Sequence, residues 1–350
     1  MSGRSEGNRK LTIWDLEGVS DQTKKKLKNA GFYYVEDLLI FSPTKISELA
    51  GISADTAERL LERAADILYR MRREQTLKEF REEEGKKMFM STGAHSLNRL
   101  LRGGWCVGEV TEIVGEYASG KSQAVYTALA IAFLDPKTPE EIQKILFGED
   151  RKKHGEAKKV RRRHEDTHWG LNDGDISVLL IDAERTFSWQ RFEKILARFN
   201  LRMSDIEERF YIYRPRNTWE LKAEIDRLHS FVREKNIRLV AVDSITKLPR
   251  ADYGGISQLY ERQRVILEMV EKLRRLAQTY RIVVLITNQV VATPGALFGL
   301  GYKPVGGHVL GHTVDTRLLL VKSGEYRLSL IHISEPTRPR LISYAVFCLK

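Results

Sequence analysis

VTEIVGEYASGKSQAVYTALAIAF, residues Val110 to Phe133, is the stretch that decides the fold. VTEIVG (Val110 to Gly115) reads as a buried strand, Gln123 to Phe133 reads as a helix, and GEYASGKS (Gly115 to Ser122) joins them. The octapeptide fits Gly-x-x-x-x-Gly-Lys-Ser/Thr, a string that average residue usage produces in about one chain of this length per hundred. The strand before it and the helix after it therefore carry more weight than the string itself. Loop amides at a helix start cradle phosphates. Lys121 would reach the β and γ phosphates of a nucleoside triphosphate, and Ser122 would place its hydroxyl on magnesium. Gly115, Glu116, Tyr117, Ala118, Ser119, Gly120 and Gln123 complete the expected nucleotide contacts.

Further apolar runs follow the same plan: ISVLLID (Ile176 to Asp182), RLVAVD (Arg238 to Asp243) and RIVVLIT (Arg281 to Thr287). Continuous Val/Ile/Leu runs fit strands buried on both faces of a mostly parallel sheet, with helices such as Tyr260 to Thr279 covering it. The expected fold class is α/β. Ligands of such sheets bind at the carboxyl ends of the strands. Asp243 ends one strand and could hold the magnesium. Glu184 lies just past another and could activate a water molecule. Gln289 sits at the same edge and could sense the γ phosphate. Either carboxylate could instead be a helix cap or a turn residue.

Residues 1–8 lack apolar periodicity and read as a disordered tail, and residues 9–72 as short helices joined by tight turns. GVSDQTKKKLKNAG (Gly18 to Gly31) and GISADTAERLLERA (Gly51 to Ala64) repeat the scheme Gly–aliphatic–Ser plus helix. Glycine permits a positive-φ turn and Ser20 or Ser53 can cap the helix that follows. This helix-hairpin-helix plan suits a DNA phosphate without base preference, or plain protein docking. The charged stretch at 73–87 reads as a linker, and 88–327 as the α/β core.

Of the 350 residues 42% are apolar, and the formal charge is +11, which favours a polyanionic partner. No run approaches a membrane span, and the polar, basic start is no signal peptide. Two cysteines, Cys106 and Cys348, exclude a disulfide framework and fit a reducing cytoplasm.

These residues together resemble the archaeal RadA branch of the RecA-type recombinases. The resemblance runs from residue 10 to about residue 327. It rests on the paired hairpins, STG (Ser91 to Gly93), GEYASGKSQ, LLIDAERTF (Leu179 to Phe187), LVAVDSI (Leu239 to Ile245) and LYERQ (Leu259 to Gln263). Its most specific part is TNQVVATPGALFG followed by PVGGHVLGH (Thr287 to Gly299, Pro304 to His312). The resemblance implies a RecA-like ATPase that forms filaments on single-stranded DNA, with ATP between protomers, and pairs that strand with duplex DNA. It implies Glu184 as general base, Lys121 and Gln289 as catalytic partners, and Asp243 as the Walker B carboxylate. Arg191 would lie against the adenine, and His308 would assist Gln289 from a neighbouring strand. Arg250 and Tyr253 would belong to the first DNA-binding loop, and Arg262 would also touch DNA. The second DNA loop would run from Thr293 through Gly306 to Gly307.

Several positions depart from that pattern. Ala118 stands where the loop usually has Gly, Arg185 and Ser188 replace Gly or Asn and Arg, and Ile256 replaces an Arg. No Phe-x-x-Ala segment occurs between Ala65 and Met90, and its anchor positions fall on Glu74 and Leu77. Residues 136–175 contain an insertion whose RKKHGEAKKVRRR (Arg151 to Arg163) has eight basic residues and one acidic, either an added DNA contact or a solvated loop. His154, His164 and His168 near it lack the Cys or carboxylate partners of a metal site. Residues 328–350 resemble a translated transposon-based sequencing adapter, in LSLIHISEPTR (Leu328 to Arg338) and ISYAVFC (Ile342 to Cys348). The expectation is a native sequence interrupted near Arg327, leaving +9 of charge, ATP binding retained and efficient DNA-stimulated hydrolysis lost. The leading functional expectation is a DNA-dependent ATPase of homologous recombination, nucleoid-associated in the cytoplasm. The alternatives are a paralogue that loads or regulates the recombinase, and a DNA-binding scaffold using ATP as a structural ligand.

Overall fold

The computed structural model describes residues 10–71, 75–134, 167–168, 171, 174–297, 302–305, 307–323, 326–333 and 344–347. Residues 1–83 with 227–230 form one compact unit, and residues 84–226 with 231–350 form a second.

The first unit is helical: α1 (Asp21–Asn29), α2 (Val35–Leu38), α3 (Pro43–Ala50), α4 (Ala54–Met71) and α5 (Leu77–Glu84). Each hairpin is built as its repeat dictates. Gly18 and Gly51 take φ of +66° and +60°. The Ser20 hydroxyl accepts the amide of Thr23, and that of Ser53 the amide of Thr56, both at 3.2 Å. Pro43 opens α3, where a missing N–H is harmless. Leu16, Leu27, Phe32, Leu38, Ile46 and Leu60 are buried, each side chain stabilising the unit by about 1.5–3 kcal/mol. The expectation of short helices fails at α4, which runs for 18 residues. Ala57, Leu60, Ala64 and Leu68, all buried, keep one of its faces apolar at helical spacing.

The second unit is α/β. Its strands are β1 (Phe89–Met90), β2 (Trp105–Cys106), β3 (Val110–Gly115), β4 (Thr167–His168), β5 (Ser177–Asp182), β6 (Phe210–Tyr213), β7 (Ile237–Asp243), β8 (Val283–Leu297), β9 (Tyr302–Pro304), β10 (Thr316–Ser323), β11 (Tyr326–Ile333) and β12 (Tyr344–Phe347). The main sheet has the order β12-β11-β10-β3-β8-β7-β5-β6. The pairs from β10 to β6 are parallel, and β11 and β12 continue the sheet antiparallel. All six residues of β3 and all six of β5 are buried, as continuous apolar strands between two helical layers require. Helix α6 (His95–Leu100) precedes the sheet, and α7 (Lys121–Ile131) follows β3, with eight buried residues. The helix Leu259–Tyr280 covers a sheet face through Val265, Ile266, Met269, Leu273 and Leu276. No helix among the described residues is long and apolar enough to cross a membrane.

Two expectations need correction. The segment from Thr293 is no open loop at its start: β8 continues to Leu297 and pairs antiparallel with β9, Val290 opposite Pro304 and Ala292 opposite Tyr302. The run Val290–Val291–Ala292–Thr293 has the β-branched character that favours this pairing. His308 lies on no strand, because the chain enters the helix Gly307–Thr313 after Pro304, which has no N–H with which to extend a ladder. Gly306 and the basic run Arg151 to Arg163 lie outside the described residues, as do His154, His164 and Cys348. Of Thr293, Gly307 and His308 only the backbone is described.

Candidate nucleotide and nucleic-acid site

The site is assembled from the carboxyl ends of β3, β7 and β5 and from the middle of β8. Register puts Gly115 level with Gln289, and Asp182 level with Asp243. Gly115 can carry no side chain, since a Cβ there would lie 2.4 Å from the Ser119 hydroxyl and 2.6 Å from the Leu320 carbonyl. The chain then turns through Ala118 at φ +57° and Gly120 at φ +100° before α7 begins. Ala118 occupies the left-handed region at a cost of about 1–2 kcal/mol that Gly would avoid. Lys121 is folded back on the loop, donating to the carbonyls of Gly115 at 2.9 Å and Glu116 at 2.8 Å. The buried Ser119 hydroxyl has no partner, and Tyr117 is exposed.

Asp243 is buried and uses one carboxylate oxygen, Oδ1, to accept the Thr287 hydroxyl. Its Oδ2 is buried without a hydrogen-bond partner. Burial pushes its pKa above the usual carboxylate value. The hydroxyls of Thr287 and Ser122 act in the opposite sense, and the charges of Glu184 and Asp182 add to the rise. An orphaned carboxylate oxygen beside a serine hydroxyl, among further carboxylates, fits a hard divalent cation. Ser122 and Asp243 are the residues that would hold Mg2+.

Glu184 donates its amide to the Asp243 carbonyl at 2.9 Å. Both of its carboxylate oxygens face donors. The Gln289 amide donates to Oε1 at 3.1 Å, and Lys247 Nζ stands 3.8 Å from Oε2. Gln289 in turn accepts Arg250 Nη1 at 3.0 Å through its own carbonyl oxygen. The result is an unbroken chain from Glu184 through Gln289 to Arg250. Gln289 stands within β8, not beyond its end, so its backbone is fixed by the ladder.

Behind Glu184, the fully buried Asp182 shapes the loop after β5. It accepts the amides of Thr186 at 3.0 Å and Phe187 at 3.3 Å, and Arg214 Nε at 3.0 Å. Arg191, exposed at the start of the helix Trp189–Ala197, receives the Ser188 cap on its amide at 3.4 Å. Burial pushes the Tyr126 phenol up to about 12, while the Thr186 hydroxyl and the Arg191 charge pull it down. Tyr253 and Arg262 come together, Arg262 Nη1 donating to the Tyr253 carbonyl at 3.2 Å. The Tyr253 ring lies 6.1 Å from that of exposed Trp219. Gln123 begins one turn of α7 whose carbonyl accepts the Thr127 hydroxyl at 2.8 Å.

Sequence reasoning missed Thr287, Asp182, Arg214 and Lys247. Asp182 could have been found, since it ends a strand in the same way as Asp243; Lys247 gave no pattern to read. In the helical unit, one groove is lined by Gly18, Ser20 and Thr23 of the first hairpin and by Thr56, Arg59 and Arg63 of α4, so the first hairpin turn opens beside two arginines.

Residues 84–149 and 166–347 match the Rad51 family, and residues 11–66 match the SAM-like helix-hairpin-helix tandem. A curated relative from Ignicoccus hospitalis, described as DNA repair and recombination protein RadA, is 30% identical over 349 residues, 99% of this chain and 95% of that protein. A loop-bearing β3–α7 unit on a six-stranded parallel core, a paired-hairpin front and a family match over most of its length agree: this chain belongs to the Rad51 family.

Proposed function

We propose that the protein is an ATP-dependent DNA recombinase that assembles as a homo-oligomer on single-stranded DNA and exchanges strands with a homologous duplex. The observation that carries this reading is the chain Glu184–Gln289–Arg250, which ties the carboxylate just past β5 to the Arg250 guanidinium. Lys121 and the loop amides bind the triphosphate, and Ser122 and Asp243 hold Mg2+. The bound ion supplies charge neutralisation at the phosphates. Glu184 accepts the proton of the attacking water, and Gln289 holds Glu184 in place while reporting on the γ phosphate. Arg250, Tyr253, Arg262 and the segment Thr293 to Gly307, with His308, contact DNA. The hairpin groove holds backbone phosphate. Such a protein works beside the nucleoid in the cytoplasm.

The test is ATP hydrolysis with and without single-stranded DNA, followed by joint-molecule formation with a homologous duplex. Stimulated hydrolysis with joint molecules supports the reading; neither activity, in a version that carries a full-length relative's C-terminal strands in place of residues 328–350, would sink it. Hydrolysis without joint molecules favours a paralogue that regulates or loads a recombinase. The observation behind this second reading is the charged, solvent-facing helix α5, on which Leu77 is 75% exposed where the family presents a self-association anchor.

A further inference from the structure

Asn288 is fully buried on β8, one residue before Gln289. A carboxamide has two N–H donors and one carbonyl oxygen, and here both ends are engaged. Nδ2 donates to Glu112 Oε1 at 2.7 Å and to the Val305 carbonyl at 2.7 Å. Oδ1 accepts the Thr246 hydroxyl at 2.9 Å. Glu112, also buried, accepts Arg317 from β10 on its other oxygen.

The three partners of Asn288 belong to three different parts of the site. Glu112 stands on β3, the strand that feeds the phosphate loop. Thr246 is the residue before the helix Lys247–Asp252, which carries Lys247 and Arg250. Val305 ends the β8–β9 excursion, and its amide donates to the Gln289 carbonyl at 3.0 Å. A leucine here would bury as much carbon without the desolvation penalty of an amide. What the amide adds is direction, because each of its bonds holds at one geometry only, and the fully engaged Asn288 amide resists independent movement of the groups it joins.

We propose that Asn288 is the positioning residue that couples the nucleotide site to the DNA-facing segments. It bolts the root of the first segment (Thr246) and the end of the second (Val305) to the strand of the phosphate loop. Displacement of any one member is then felt by the other two. The proposal rests on the reading of this site as a nucleotide-dependent DNA binder.

The experiment measures affinity for a fluorescent single-stranded oligonucleotide with and without a slowly hydrolysed ATP analogue. The ratio of the two affinities is the coupling. A wild-type ratio near one would remove the functional reading itself, and this proposal with it. With a wild-type ratio above about 5, Asn288→Leu is expected to bring the ratio below about 2, while DNA-free affinity for a fluorescent ATP analogue stays within about twofold. Thr246→Val, which removes one of the bonds and keeps the shape, is expected to give an intermediate ratio. Circular dichroism establishes that each variant is folded. A folded Asn288→Leu protein with the wild-type ratio overturns the proposal, as does parallel loss of nucleotide and DNA affinity. If Asn288→Leu does not fold, Thr246→Val decides alone, and an unchanged ratio overturns the proposal.

Discussion

Asp182 and Asp243 stand level on neighbouring parallel strands, and the structure treats them differently. Asp182 is answered by Arg214 and two backbone amides, whereas Asp243 keeps one buried oxygen without a partner. The first is finished as a structural anchor. The second is open to a cation.

That contrast predicts how stability depends on pH. The pKa of Asp243 is raised in the folded chain above its ordinary 3.8 by burial. An acid with a raised folded value costs no stability below its unfolded pKa, and the cost grows as pH rises toward the folded value. In Mg2+-free solution at neutral pH, Asp243→Asn should therefore melt higher than wild type, by about 2–4 °C per kcal/mol relieved. The gap should close toward pH 4. Adding Mg2+ and ATP should reverse the order, since only wild type gains. Differential scanning fluorimetry across pH checks both, and equal melting of the two metal-free proteins at pH 7 would remove the argument.

Glu184→Gln keeps the side-chain shape but cannot accept a proton. Turnover is expected to fall by about 10²–10⁴-fold with nucleotide affinity nearly unchanged. Steady-state hydrolysis and fluorescent-nucleotide titration measure the two separately. Undiminished hydrolysis would strip Glu184 of its assigned role.

Arg250→Ala removes the cation on the Gln289 carbonyl. DNA-free hydrolysis should change little, while stimulation by single-stranded DNA should fall by about 5-fold or more, the lower range of measured couplings. A stimulation ratio equal to wild type would show that the Gln289 contact carries nothing across.

Ala118→Gly tests the one departure inside the phosphate loop. Relief of left-handed strain, at about 1–2 kcal/mol, outweighs the extra entropy of Gly, about 0.5–1 kcal/mol. A net gain of up to about 1 kcal/mol is expected in chemical unfolding, with nucleotide affinity retained. A destabilised variant would mean that the alanine methyl has a packing role.

Residues 328 to 350 raise a separate test. β11 and β12 join the sheet through backbone groups, and a ladder of that kind accepts many sequences. The family match runs on to residue 347, across this stretch, and counts against its resemblance to adapter sequence; the adapter reading stands only if the source locus, read from unsheared DNA, lacks these codons after Arg327. Finding them in the genome would end that interpretation.

Legibility followed how local the determining physics was. β3, β5 and β7 came out within one residue, because a doubly buried strand must be an unbroken apolar run. β6 was not anticipated, since FYIY (Phe210 to Tyr213) is short and only half-buried at the sheet edge. The strand character of Val290 to Leu297 was hidden by Pro294 and Gly295, and depends on pairing with β9. The placement of Asp243 and Glu184 was readable because they sit at a strand end or just past one, whereas Gln289 lies inside β8. Asn288 was not, since a polar residue inside an apolar strand announces no partner, and its three partners lie 17 to 176 residues away.

That dispersal has a cost and a benefit for the chain in a cell. Lys121, Glu184, Asp243 and Gln289 meet only when the parallel strands have paired, so an unfolded chain offers the nucleotide nothing to grip. Ligand at about 100 times its Kd would then stabilise the folded core by about 2.7 kcal/mol. Under the proposed nucleotide binding, the cellular energy charge would become a determinant of how long each copy of the core survives proteolysis.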